Sequence, residues 1–132
     1  MFMKKLKTIL ILTFFVLFCQ SAIAQTAQEL LGKWQLVKWV KNGKEKDIRS
    51  YFKTDQVYQI FKDDRTFESV NGSEVHNGKW HFSNDNTELT LTTTIIPIKF
   101  RIDYFDSEKR IMTYKDLGTF TYIKIKEPEK IE

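Results

Sequence analysis

Residues 98–105 read IKFRIDYF, the cleanest alternation of apolar and polar side chains in the protein. Ile98, Phe100, Ile102 and Tyr104 share one parity, and Lys99, Arg101 and Asp103 share the other. In an extended chain the first set faces a core and the second faces water. Pro97, just before the octet, lacks a backbone donor and suits a strand start or a sheet edge. Beyond the octet, Asp106-Ser107-Glu108 is a polar break of hairpin length. Residues 109–115 resume the extended pattern, Asp116-Leu117-Gly118 interrupts it, and residues 119–126 take it up again.

Working upstream, residues 33–41 (KWQLVKWVK), 56–62 (QVYQIFK), 65–70, 79–83 (KWHFS) and 87–94 are further strand candidates, eight in all. Asp63-Asp64 and Ser83-Asn84-Asp85-Asn86 are short links. Residues 71–78 read as a longer polar loop. Residues 42–55 form the longest gap, with a short helix predicted within 45–52. A turn of helix is expected ahead of the first strand, over 26–31, with Thr26 as N-cap and Gly32 as stop. No candidate helix of ten or more residues separates two strands, so the βαβ crossovers of a parallel sheet are absent. These features predict an all-β protein, an antiparallel up-and-down barrel of about eight strands with a short N-terminal helical turn. Closure removes the exposed sheet edges.

The first 24 residues read as a secretory signal. Lys4, Lys5 and Lys7 supply the positive start, residues 8–18 (TILILTFFVLF) an apolar run, and Ala22-Ile23-Ala24 the small-x-small cleavage pattern. The run of 11 residues falls short of the roughly 20 that span a bilayer. Acylation at Cys19 is the competing reading, but bulky Leu17 and Phe18 precede it. Cleavage after Ala24 leaves a domain of residues 25–132, to be found in the periplasm or outside the cell. The removed segment holds three lysines and no acid, so the net charge falls from +4 to +1. A near-neutral domain has no electrostatic footprint for nucleic acid. It also loses the chain's one cysteine, and with it disulfide and thiol chemistry.

Catalytic signatures are sparse. His76 and His81 fall near Glu74, but the spacing fits no common metal-ligand motif. Asp63-Asp64 is better explained as a turn than as a carboxylate dyad. No Ser or Thr stands in a nucleophile-elbow context, and the helical H-E-x-x-H motif is missing. The expectation is a protein that is not an enzyme and carries neither metal nor cofactor. Its inward face is richer: Trp34, Leu36, Phe67, Trp80, Phe82, Leu89, Leu91, Ile98, Phe100, Ile102 and Tyr104 share the inward parity. Such side chains either fill the interior or line a cavity, and an eight-stranded barrel is near the size where both occur. Tyr58 or Tyr122, if inward, would add polar groups to a pocket.

Gly32-Lys33-Trp34 follows a short helical turn and opens the first of eight strands. In that arrangement the chain resembles the lipocalins, and more closely the lipocalin-like domains of small secreted bacterial proteins. The resemblance implies that Trp34 plugs the closed end of the barrel, with Lys124 or Lys126 packed over it. It also implies that residues 42–55 act as a lid over the mouth. Ile102-Asp103-Tyr104 partly echoes the family's T-D-Y motif. Gly78-Lys79-Trp80 is a second copy of G-x-W.

The expected function is non-catalytic binding of a small hydrophobic or amphipathic ligand, with Trp34, Phe67, Phe82, Leu91, Phe100 and Tyr104 lining the site. The alternative is a filled-core barrel acting through its surface on a protein partner, with Trp39, Val37 and the 42–55 loop exposed as the contact.

Overall fold

The computed structural model describes residues 27–126. The expected signal over 1–24, its Cys19 and the Thr26 cap lie outside the described residues. Residues 27–30 are helical (α1). The chain then runs β1 (Gly32–Lys41), β2 (Lys44–Lys46), α2 (Ile48–Phe52), β3 (Val57–Phe61), β4 (Thr66–Asn71), β5 (Glu74–Phe82), β6 (Glu88–Thr92), β7 (Pro97–Phe105), β8 (Lys109–Tyr114) and β9 (Gly118–Lys124). Neighbours pair antiparallel in sequence order, and β1 also pairs with β9. That last pairing closes β1 and β3 to β9 into an eight-stranded barrel. The three-residue β2 lies along Trp39–Lys41, on the edge of β1 that β3 has left.

Two bulges decide what faces inward. Between Leu36 and Lys38 the register of β1 against β9 slips, with Val37 as the extra residue. Parity reverses there: Trp34 and Leu36 point in, Val37 is 47% exposed, and Trp39 is buried. The surface contact expected of Trp39 therefore does not exist. Between Ile102 and Tyr104 the register of β7 against β8 slips in the same way, around Asp103. Ile98, Phe100 and Ile102 keep their inward parity, but Tyr104 is turned outward, 47% exposed, and Phe105 takes the inward place. Placing Tyr104 on the inner wall was thus an error. An unbroken period of 2 does not survive an inserted residue.

Residues 71–78 also depart from expectation. They form no loop but a tight hairpin, with Gly72-Ser73 as the turn and Asn71 paired to Glu74. Gly72, at φ 62, takes the left-handed place that such a turn reserves for glycine. The helix predicted within 45–52 begins only at Ile48, because residues 44–46 are drawn into pairing with β1. Asp47 caps it, accepting from the Ser50 amide at 3.3 Å, and Lys53 ends it in the left-handed region.

Candidate functional site

Alternation along β1, β3, β8 and β9 sends Trp34, Gln59, Phe61, Arg110 and Tyr122 into one layer near the closed end of the barrel. Trp34 is fully buried, and its indole nitrogen donates to the Leu30 carbonyl at 2.8 Å, fastening α1 across that end. Lys124 lies with its ammonium 5.2 Å from the Trp34 ring and donates to the Glu29 carbonyl at 2.6 Å. Of the two lysines suggested by resemblance, it is Lys124 that meets the tryptophan. Lys126 reaches outward, 3.9 Å from Glu108.

Arg110 is the unusual member of this layer. It is fully buried, and its guanidinium lies 4.4 Å from the Tyr122 ring centre, 4.9 Å from Phe61 and 5.0 Å from Trp34. Nη2 donates to the side-chain oxygen of Gln59, while Nε and Nη1 have no hydrogen-bond partner. Arg110 belongs to none of the ion pairs Lys62–Glu68, Arg101–Asp103 and Lys126–Glu108 of the described residues, all of which lie at the surface. Burial pushes the Arg110 pKa down to about 10, opposed by the neighbouring Tyr122 oxygen. The same burial pushes Tyr122 up to about 12, opposed by Arg110. At neutral pH the guanidinium is therefore charged and the phenol is not. An unpaired ion in a protein interior costs several kcal/mol. Ring contacts return about 2 kcal/mol or more when desolvated, which offsets part of that cost.

A second layer lies toward the mouth. Trp39 stacks on Phe120 at 5.7 Å and 10°, and Phe120 meets Phe100 edge-on at 6.2 Å. Phe100 in turn meets Tyr114 at 5.8 Å. From α2, Tyr51 and Phe52 close over Trp39 with ring centres at 4.7 and 6.0 Å. No residue of α2 is fully buried. Open space flanks it: a cleft of about 670 Å³ against Gln35–Val37 on one side, and one of about 450 Å³ against the Gly72-Ser73 turn on the other.

The residues expected to line a site divide between these layers. Trp34, Phe67, Leu91 and Phe100 are buried, and Phe82 is partly so. Phe82 bridges Trp80 at 6.1 Å and Phe105 at 5.9 Å, and Phe105 reaches Trp34 at 6.0 Å. Phe67 stacks on Phe61 at 5.6 Å. Tyr104 joins neither group, since its hydroxyl donates to Asp106 on the outside at 2.6 Å. Sequence reasoning missed Arg110, Gln59, Phe105 and Tyr114. Arg110 shares its parity with Met112 and Tyr114, and Gln59 shares its parity with Val57 and Phe61. A polar residue in an otherwise apolar parity was the available signal.

The family model for a domain of unknown function designated DUF5004 matches residues 18–113. The chain belongs to the DUF5004 family. No curated protein matches it. Among solved structures, this DUF5004 chain is similar to a lipocalin-like protein from Bacteroides uniformis, with TM-score 0.59 and 16% identity over 74% of this chain and 99% of that one. It is also similar to an uncharacterized protein from Bacteroides eggerthii, with TM-score 0.55 and 17% identity over 72% and 98%. A DUF4847 family protein from Bacteroides vulgatus gives TM-score 0.52 and 14% identity over 74% and 94%. These likenesses establish a lipocalin-like fold.

The histidines and the Asp63-Asp64 pair of this DUF5004 domain are exposed. His76 and His81 both lie on β5, at positions of opposite parity that send them to opposite faces of the strand. Asp64 accepts from the amide and hydroxyl of Thr66, whose bonds lower its pKa, as befits a turn former. Among the described residues no group of three or more His, Cys, Asp or Glu side chains is placed to hold a metal ion. No described helix is long and apolar enough to cross a membrane.

Proposed function

We propose that this protein is a non-catalytic carrier or sensor of a small amphipathic molecule, admitted at the mouth beneath residues 42–55 and working after export from the cytoplasm. The observation that carries this reading is the way the mouth is shut. Two aromatic side chains from a five-residue helix lie against Trp39 at this end of the barrel, with clefts on both sides. Such a lightly buried element opens at low cost compared with the barrel itself. Opening exposes Trp39 and Phe120 at the top of a continuous aromatic interior, an apolar surface with few polar groups of the kind that holds small ligands.

The test is native mass spectrometry of the protein purified without detergent from an exporting host, paired with a titration of a neutral apolar probe read by tryptophan emission. The expected result is a bound, solvent-extractable molecule, or a saturable emission change that the W39F variant diminishes. A clean apo mass together with a flat titration overturns the reading.

A further inference from the structure

We propose that Arg110 is the anchor for the anionic end of the guest, which makes the ligand class a monoanionic oxyacid, a carboxylate at the head of an apolar tail. The inference rests on the carrier reading above and deepens it. Two of the three guanidinium nitrogens are fully buried and make no hydrogen bond. Buried donors of that kind are rare, because each forfeits its water without recovering a partner. The charge has the same deficiency. Around it stand three rings and one neutral amide, Trp34, Phe61, Tyr122 and Gln59.

The surroundings set the ligand's charge and shape. One guanidinium with no counter-ion asks for one negative charge. The ammonium of Lys124 also lies over Trp34 but donates to the Glu29 carbonyl of α1, so among the described residues the buried donors left without a partner all belong to Arg110. A carboxylate satisfies the orphan N–H groups with charge-assisted hydrogen bonds. Above Arg110, toward the mouth, its strand neighbour Met112 and the facing Leu36 and Phe120 are apolar and buried. A tail pointing from Arg110 to the lid meets only such groups, so head and tail are both selected. The column is packed, so entry of the tail requires these side chains to move aside, Met112 being the most adaptable of them.

The experiment compares three probes on the intact protein by calorimetry: dodecanoate, dodecanol and acetate. Dodecanoate should bind at least about tenfold more tightly than dodecanol, a gap of roughly 1.4 kcal/mol, and acetate should not bind measurably. R110M should bring dodecanoate down to the affinity of dodecanol, and R110K should keep part of the preference. The comparison on the wild-type protein stands even where a variant fails to fold. Equal binding of acid and alcohol overturns the anchor and leaves the carrier reading intact. Acetate binding as well as dodecanoate overturns the tail and leaves a site for a free anion. Failure of all three probes overturns the anchor, while the carrier reading is decided separately by the mass spectrum and the neutral-probe titration above.

Discussion

The indole nitrogen of Trp39 donates a 2.7 Å hydrogen bond to the carbonyl of Leu117, 78 residues further along the chain. The bond spans the seam where β1 meets β9 and ties the first strand to the last hairpin turn. Trp39 is also 5% exposed and stacked on Phe120. Bond and packing separate by substitution. W39F keeps most of the ring and should cost about 1–2 kcal/mol, the value of one buried hydrogen bond with a carbonyl left unmatched. W39A should cost about 3–5 kcal/mol, since it also leaves a cavity. Urea unfolding followed by far-ultraviolet circular dichroism reads both. Equal losses would mean that the seam depends on the bond and not on the stacking.

Gly78 is where the barrel wall has no room. A Cβ built there would stand 2.4 Å from the Thr92 carbonyl oxygen and 2.6 Å from the Phe67 ring. The backbone oxygen belongs to β6 and cannot swing aside, and Phe67 is buried against Phe61. G78A should therefore destabilise by about 1–3 kcal/mol, the usual cost of overpacking. Adding F67L should recover part of that loss by freeing the space the ring occupied. No recovery in the double variant would place the whole clash on the β5–β6 backbone.

Most of the barrel was legible because hairpin links are short and the core face repeats every second residue. Trp34, Leu36, Phe67, Trp80, Leu89, Leu91 and Phe100 follow from that rule alone. The rule fails at Val37 and Asp103, where one inserted residue reverses parity. Nothing in KWQLVKWVK or IKFRIDYF distinguishes a bulge from an unbroken strand, since the slip depends on the partner's register. The same limit hid the candidate site. Arg110 interrupts the apolar parity of Met112 and Tyr114, but which parity of β8 faces inward is fixed only when β8 pairs with β9 and Arg110 falls opposite Tyr122. The hairpin at Gly72 was readable locally but was masked by the polar residues around it.

The bulge at Asp103 makes a sharp contrast between adjacent residues. Phe105 packs on Trp34 and Phe82 at about 6 Å from each, while Tyr104 is half-exposed and bonded to Asp106. F105A should cost about 3–5 kcal/mol, and Y104A less than about 1 kcal/mol, as for most surface changes. Thermal unfolding of the two variants side by side is sufficient. The reverse order would restore an unbroken β7 and put Tyr104 back on the inner wall.

Asp85 supplies a pH-dependent term with a definite sign. Its carboxylate accepts from the hydroxyls of Ser83 at 2.7 Å and Thr87 at 2.8 Å, and from the Thr87 amide at 3.2 Å. Those bonds favour the ionised form and hold its pKa down at about 2, against an ordinary 3.8. A carboxyl depressed on folding stabilises the protein fully above its unfolded value, and the contribution is lost as pH falls through the folded one. The wild-type advantage over D85N should therefore be constant above about pH 5 and shrink between about pH 4 and 2. Because the carboxylate is fully exposed, the effect is small and best read as a difference in unfolding midpoint between the two proteins across that window. A difference that stays flat down to pH 2 would mean that the Ser83 and Thr87 bonds serve the turn equally well with a neutral acceptor, and that acid sensitivity in this barrel arises elsewhere, with Asp64 and Asp106 as the next carboxyls whose turn bonds lower their pKa.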